Sequence, residues 1–171
     1  MKNVVFKIND CSSNLHSKEK TGIVGSQHNA TIVRAASWAA DSETLMAVRN
    51  AVFVEEQGVP VELEQDGFDP FCAHVLALED GTPVGAGRVT EKGHIGRVAV
   101  LASHRGRGIG TELIRCLIRS AKVSASTSKL IDLNAQLHAV AFYERLGFES
   151  EGDTFLEAGI EHVRMVLNAT K

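Results

Sequence analysis

Apolar residues recur at helical spacing in one long segment of the second half of the chain. Its apolar face is formed by Ile109, Leu113, Leu117 and Ala121. Its opposite face is charged and carries Glu112, Arg115, Arg119 and Lys122. The pattern predicts a helix over residues 109–123 that packs one face on a core and exposes the other to water.

Shorter runs of apolar and β-branched residues, bounded by turn residues, predict strands. They cover residues 31–36, 73–78, 82–90, 94–101, 129–135, 148–157 and 161–167. A further helix carries Leu45, Val48, Val52 and Phe53, and is expected to start at a cap on Asp41 or Ser42 and to end at 58–60. A short helix is predicted over residues 139–146. The acidic segment 61–70 is expected to be a loop, and the small residues 124–128 a linker.

The order of these elements predicts the fold class. The strands at 73–78, 82–90 and 94–101 are joined by short turns and should form an antiparallel meander. The strand at 129–135 follows a crossover helix and should run parallel to the strand before it. The last two strands should form a hairpin that turns at Ala158-Gly159. We therefore expect an α+β fold, with a mixed, mostly antiparallel sheet covered by helices on both faces.

Length and composition are those of one soluble domain. The chain has 171 residues, of which 44% are hydrophobic. Residues 30–171 are assigned to this domain, and residues 1–29, rich in Asn, Ser, Lys and His, to a partly disordered N-terminal extension with a β-like run at Val4–Ile8. The chain has no long apolar stretch, and its apolar run at the start is too short for a signal peptide. A cytoplasmic protein without a membrane partner is therefore expected. The three cysteines and seven histidines lack metal-site spacing, so no metal is expected.

Charge is distributed unevenly. Residues 97–119 carry five arginines and one acid, whereas residues 41–80 carry ten acids and one arginine. One interpretation is an anionic cofactor at one end of the site and a cationic acceptor at the other. The other interpretation is that the acids are solvated surface groups. The small basic cluster argues against nucleic-acid binding.

A glycine-rich turn lies between the strand at 94–101 and the long helix. Gly106, Gly108 and Gly110 allow a sharp turn that exposes backbone N–H groups at a helix start, where an anion is favoured. A nucleotide-triphosphate loop would require a lysine before Thr111, and the dinucleotide fingerprint requires a different glycine spacing. A phosphate-bearing cofactor is therefore expected, unless the glycines only make a tight turn.

The segment Arg105-Gly106-Arg107-Gly108-Ile109-Gly110 resembles the coenzyme A pyrophosphate site of the GNAT superfamily of N-acetyltransferases, whose pattern is Arg/Gln-x-x-Gly-x-Gly/Ala. Residues 142–148, Phe-Tyr-Glu-Arg-Leu-Gly-Phe, match a second signature of the family. Segments 49–57, 96–100, 135–136 and 155–162, with Asp66, Asp69 and His74, are similar to the ElaA-like and YjcF-like branch. The match spans roughly residues 31–167.

The resemblance implies acetyl-CoA as the cofactor. Its pantetheine arm would pair with the backbone of Val98, Ala99 and Val100. Its pyrophosphate would be held by Arg105, Gly106, Arg107, Gly108, Ile109, Gly110 and Thr111. Gln136, where the family often has asparagine, would bond the cofactor or neighbouring backbone.

Acetyl transfer also requires an acid and a base. Tyr143, the only tyrosine, is expected to protonate the leaving thiolate, since a phenol keeps its proton at neutral pH. Glu55 and His74 are named as catalytic assistants, although the base stays open among Glu55, Glu56, Asp66, Asp69, His74, His94 and His162. The residues assigned to substrate binding are Glu55, Gln57, Asp66, Asp69 and Arg97.

The sequence therefore predicts an acetyl-CoA-dependent N-acetyltransferase that acts by direct transfer to a primary amine. The acceptor, a small molecule or a peptide amine, is not identified, and a homodimer stays open. The alternative is a non-catalytic module that binds acyl-CoA as a sensor or interaction partner.

Overall fold

The computed structural model describes residues 13–15, 31–124 and 130–168. The predicted strand-like run at 4–8 and most of the predicted linker at 124–128 lie outside these residues. Within them, no helix is both long and apolar enough to cross a membrane.

The structure is a sheet with helices on both faces, which confirms the predicted α+β class. The strands are β1 Ser13–Leu15, β2 Thr31–Ala36, β3 Ala73–Glu79, β4 Thr82–Val89, β5 His94–Val100, β6 Leu130–Gln136, β7 Glu149–Glu157 and β8 Ile160–Asn168. The α-helices are α1 Trp38–Arg49, α2 Val61–Glu64, α3 Ile109–Ser124 and α4 Val140–Glu144. A π-helix, Asn50–Glu56, continues α1. Short 3₁₀ turns are formed by Asp69–Phe71, Ala102–His104 and Leu137–Ala139.

The strand order is β1-β2-β3-β4-β5-β6-β8-β7. All neighbouring pairs are antiparallel except β5 and β6, which run parallel as predicted. Their ladder contains only the pairs His94–Asp132 and Ile95–Leu133. Beyond Ile95 the two strands part, so the sheet opens in its middle, and one edge of β5 has no strand partner among the described residues.

A hydrophobic core lies on each face of the sheet. On one face α3 buries its predicted apolar residues Ile109, Leu113, Leu117 and Ala121, none more than 1% exposed, against β2 to β5. On the other face Leu45 and Val48 of α1, with Val52 of the π-helix, pack on Leu76, Ala86 and Ala99. The two cores fix β5 and the start of α3, which border the opening.

Two predicted details are wrong. Helix α1 begins at Trp38, not at Asp41 or Ser42, because the carboxylate of Asp41 reaches back and accepts the N–H of Ser37 at 2.8 Å. That bond satisfies a donor at the helix start. The segment 61–70 is also not a plain loop, since it contains α2 and the beginning of a 3₁₀ turn.

Gly85 marks a close approach of β4 to α3. A Cβ at this position would lie 3.0 Å from Leu113 Cδ1 and 3.2 Å from the carbonyl oxygen of Ala99. We expect Gly85→Ala to lower the free energy of unfolding by about 1–3 kcal/mol, as overpacked cores do. Urea unfolding checks this, with Gly96→Ala as the control, because the nearest atoms to a Cβ there are 4.0 Å away. Equal stability of the two variants would contradict the expected crowding.

Candidate active site

A cavity of about 700 Å³ lies where β5 and β6 part. It is lined by residues of the π-helix, α2, β5, β6, the 3₁₀ turn Leu137–Ala139, α4 and the β7–β8 hairpin. Polar and charged side chains on its walls are Glu56, Gln57, Glu64, His94, Arg97, Arg105, Asn134, Gln136, His138, Tyr143, Glu157 and His162. Such a concave site with convergent polar groups is where ligands bind.

A β-bulge in β5 shapes one wall of this cavity. Arg97 and Val98 together oppose Gly87 of β4, because the register shifts between Ala86 and Arg88. Arg97 has a φ of +54°, which is uncommon for a residue with a side chain. Its guanidinium donates to the carbonyl oxygens of Leu63 at 2.8 Å and Glu64 at 3.1 Å. The bulge therefore anchors the 61–70 segment to β5.

The glycine turn after β5 presents a row of free backbone donors. Gly106 and Gly108 have φ values of +73° and +85°, and nothing lies within 4 Å of a Cβ built on either one. Within residues 31–124 and 130–168, no group accepts a hydrogen bond from the N–H groups of 106–111. These donors sit at the N-terminus of the sixteen-residue helix α3. The turn has the space and the donors to hold a phosphate group.

The arginine side chains of this turn are already engaged. Arg105 donates to both carboxylate oxygens of Glu56, at 2.7 and 2.6 Å, and to the carbonyl oxygen of Val100 at 2.9 Å. Arg107 forms an ion pair with Glu79 at the end of β3. The backbone amides, more than these two guanidinium groups, are therefore the available anion donors.

These ion pairs connect part of the acidic segment to the basic one. Glu56 and Glu79 of the acidic segment pair with Arg105 and Arg107 of the basic one, and Asp66 pairs with Arg97. Other acids of the segment, Glu43, Glu55 and Glu62, are exposed, as expected for solvated surface groups. The acidic stretch is therefore not one open cation site.

Tyr143 lies on α4 and reaches the cavity. Its ring packs edge-on against Phe148, with ring centres 6.0 Å apart. Burial raises the pKa of Tyr143 to about 12, so the phenol keeps its proton across the neutral range. No described residue accepts a hydrogen bond from its hydroxyl. The group is a protonated donor without a hydrogen-bond acceptor among the described residues.

Gln57 and Gln136 meet across the cavity. Nε2 of Gln136, at the end of β6, donates to Oε1 of Gln57 at 3.0 Å. Gln57 follows the π-helix, whose wider backbone hydrogen bonds include Gln57 N–H to the Val52 carbonyl at 3.2 Å. Local π-helical turns occur often at functional sites. The amide pair links the wall formed by the π-helix to the β6 side of the opening.

Several residues predicted for the site lie elsewhere. Glu55 is exposed and does not line the cavity. His74 is 1% exposed, stacks on Trp38 and has its Nε2 2.8 Å from the Asp69 carbonyl oxygen. Burial lowers the pKa of His74, so it is neutral and enclosed. Asp66 and Asp69 belong to an ion-pair network beneath the cavity wall.

That network joins three arginines to three carboxylates. Arg49 donates to Asp69 at 2.7 and 3.0 Å and forms an ion pair with Glu64. Arg88 donates to Asp69 at 2.8 Å and forms a bidentate pair with Asp66. Arg97 completes it at 3.1 Å from Asp66. The charges balance, and their geometry holds the 61–70 segment in place; Oε2 of Glu64, which lines the cavity, stays buried without a partner.

Acid should weaken this network. Partial burial works to raise the pKa of Asp66, but hydrogen bonds from Arg88 and the Phe68 N–H lower it to about 2. Because the folded pKa lies below the ordinary value, the stabilisation is complete above about pH 4 and is lost as the pH falls towards 2. We expect the free energy of unfolding, measured in urea, to fall over this range. Asp66→Asn should show a shallower fall, and an equal slope would contradict the assignment.

Comparison with known proteins places the chain in a family. Residues 40–169 match the model of the acetyltransferase (GNAT) domain. The chain belongs to the GNAT family. The uncharacterized N-acetyltransferase YjcF of Bacillus subtilis is 40% identical over 124 residues, which are 70% of this chain and 86% of YjcF. This agreement confirms the resemblance drawn from the glycine turn and the tyrosine motif.

Solved structures give the same result for the GNAT fold. The crystal structure of Escherichia coli ElaA superposes with a TM-score of 0.70 at 26% identity, covering 80% of this chain and 98% of ElaA. An acyl-CoA N-acyltransferase from Pseudomonas aeruginosa superposes with a TM-score of 0.69 at 28% identity, covering 79% of this chain and 97% of the other. The chain therefore has the GNAT fold and belongs to the ElaA-like and YjcF-like branch of this family of acyl transfer enzymes.

The glycine turn, β5 and Tyr143 could be identified from the sequence, but two other residues that line this GNAT cavity were missed. His138 and Glu157 line it and had not been singled out. Glu157 accepts a hydrogen bond from Asn134 at 2.9 Å. The sequence feature that could have pointed to this part of the cavity is the hairpin turn at Ala158-Gly159. A hairpin next to the open side of β6 must border the opening.

Proposed function

We propose that this protein is an acetyl-CoA-dependent N-acetyltransferase that transfers the acetyl group directly to a primary amine. One observation carries the proposal. Beyond Ile95 one edge of β5 pairs with no strand of the described residues; this edge borders the cavity that Tyr143 also lines, and β5 leads on to the glycine turn with its free amides. A thioester substrate with a phosphate-bearing arm needs these features in one continuous path.

The residues present fit acetyl-CoA. The backbone of Val98, Ala99 and Val100 would pair with the extended arm as an added strand does. The amides of 106–111, including those of Gly108 and Thr111, would bind the pyrophosphate. Gln136 lies beside this path and would bond the arm or keep its contact with Gln57.

The chemistry assigned to the chain follows from the charges that develop. A backbone N–H at the β5 bulge would stabilise the oxyanion formed when an amine attacks the thioester. The Tyr143 hydroxyl would give its proton to the sulfur as the C–S bond breaks. Burial raises the pKa of Tyr143 to about 12, so the phenol carries that proton at neutral pH. Direct transfer means that the amine attacks the bound thioester itself, which requires one cavity that both substrates can reach.

A panel assay tests the proposal. Purified protein is incubated with acetyl-CoA and a defined set of primary amines (spermidine, lysine amide, glucosamine and a short lysine-containing peptide), and thiol release is measured against amine-free controls. We expect at least one amine to increase release and to be recovered as its N-acetyl derivative. Binding of acetyl-CoA without transfer to any of them would favour a non-catalytic acyl-CoA sensor instead.

A further inference from the structure

We propose that Nε2 of His162 is the general base that removes the proton from the acceptor amine. The assignment rests on the proposed function. It adds the identity of the general base, which neither the sequence nor the family match decides. His162 lies on β8, lines the cavity and is 8% exposed. It thus combines contact with the site and shelter from bulk water.

The register of the sheet places His162 at the height where transfer would occur. It pairs with Gln136 across β6 and β8. Counted from the Ile95–Leu133 pair, Gln136 and Val98 are each three residues further along their strands, and Val98 belongs to the β5 bulge. His162 therefore lies near the level of that bulge, and His162, Arg97 and Val98 all line the cavity.

The tautomer of His162 follows from its hydrogen bond. Nδ1 lies 2.8 Å from the carbonyl oxygen of Ile160. A carbonyl oxygen only accepts, so Nδ1 must carry the proton, and the neutral ring has its lone pair on Nε2. The ring also stacks on Phe155, with ring centres 6.1 Å apart and planes at 24°. Two contacts thus fix the orientation of a proton acceptor.

Neighbouring charged groups leave this lone pair free. On β7, Glu157 accepts a hydrogen bond from Asn134. On β8 itself, Arg164 is bound by Asp132 of β6 and Glu151 of β7. His94, His138 and Tyr143 are the other titratable groups in this half of the cavity. None of these has an interaction with His162 within the described part of the chain.

His162 Nε2 takes one proton from the acceptor ammonium and later returns it to solvent. The freed lone pair forms the C–N bond to the thioester carbon, and the C–S bond breaks as the sulfur takes the proton of Tyr143. The nitrogen then gives its surplus proton to the tyrosinate. The products are the N-acetylated amine and free coenzyme A.

His94 is the competing imidazole in the cavity. Its Nδ1 lies 2.9 Å from Asp132 Oδ1, and its side chain is 42% exposed. It sits at the closed end of the opening, where β5 and β6 are still paired. Measured along the strands, His94 is therefore farther from the β5 bulge than His162 is.

The kinetic test compares three histidine variants with the unaltered protein. His162→Asn keeps a side-chain N–H near the Ile160 carbonyl but has no counterpart of Nε2. With an amine accepted from the panel, we expect its kcat/KM to fall by about 10²–10⁴ and to lose the acid limb of its pH profile, at unchanged affinity for acetyl-CoA. Added imidazole should partly restore the activity of His162→Ala. Retention of the acid limb in His162→Asn, or its loss in His94→Asn instead, would overturn the assignment.

A second measurement needs no acceptor. ¹⁵N spectra of the histidine rings in the acetyl-CoA complex, assigned by the loss of one set of signals in His162→Asn and recorded at a pH where the ring is neutral, should show the His162 proton on Nδ1. A neutral ring with its proton on Nε2 would overturn the proposal. The two proposals can fail separately. Absence of transfer to any amine contradicts the proposed function. Undiminished transfer by His162→Asn contradicts only the role of His162.

Discussion

Replacing Tyr143 with phenylalanine is expected to lower kcat by about 10²–10⁴ while leaving the Kd for acetyl-CoA unchanged. The substitution removes only the hydroxyl, and the retained ring still packs against Phe142 and Phe148. Because the hydroxyl is used when the C–S bond breaks, its loss raises the barrier without removing a binding contact. Steady-state kinetics and calorimetric titration of acetyl-CoA measure the two effects separately. A variant with full turnover would remove Tyr143 from the mechanism.

The protonation state behind that prediction can be measured directly. The chain has a single tyrosine, so tyrosinate absorbance reports Tyr143 without any assignment. With a pKa of about 12, the folded protein should show no tyrosinate signal near pH 10, where about half of an ordinary tyrosine is ionised. Substantial ionisation at that pH in folded protein would show that the phenol is not sheltered as the structure indicates.

Replacing Asp69 with asparagine is expected to cost about 3–5 kcal/mol of unfolding free energy, as the loss of one partner from a buried ion pair does. The Asp69 side chain accepts from both Arg49 and Arg88 and is only 5% exposed. Burial works to raise its pKa, but the hydrogen bonds from the two arginines hold it below the usual range. Asparagine would leave their charges unbalanced beneath the cavity wall.

Urea unfolding measures the loss, and a surface ion pair provides the matched control. Glu151 is 52% exposed and pairs with Arg164. Glu151→Gln should change the unfolding free energy by no more than about 1 kcal/mol. Similar small losses in both variants would contradict the structural role of the Asp69 network.

Much of the fold could be predicted because single elements carry local signals. Helix α3 packs one face on the sheet and exposes the other to water, so its buried residues recur at helical spacing and can be recognised in the sequence. The glycine turn is readable because Gly106 and Gly108 adopt positive φ values that other residues rarely take. The hairpin at 158–159 has the same kind of signal, with φ values of +52° and +77°.

The polar interior could not be predicted in this way. Arg49 lies 20 residues before Asp69 and Arg88 lies 19 residues after it, and the three meet only after β3, β4 and the 61–70 segment have assembled. In the sequence, Asp66 and Asp69 have the same chemistry as substrate-binding carboxylates. His74 and His162 are likewise both histidines on strands, and only the place of each strand relative to the opening buries one and brings the other to the cavity.

Calorimetric titration of acetyl-CoA into three proteins tests whether the glycine turn holds the cofactor. Gly108→Glu would put a negative side chain into the open space at the turn, and Gly152→Glu makes the same change at φ +79° with nothing within 4 Å on the edge strand β7. We expect the unaltered protein and Gly152→Glu to bind acetyl-CoA equally and Gly108→Glu not to bind. Absence of binding to the unaltered protein, or equal binding by Gly108→Glu, would show that the turn is not an acetyl-CoA site.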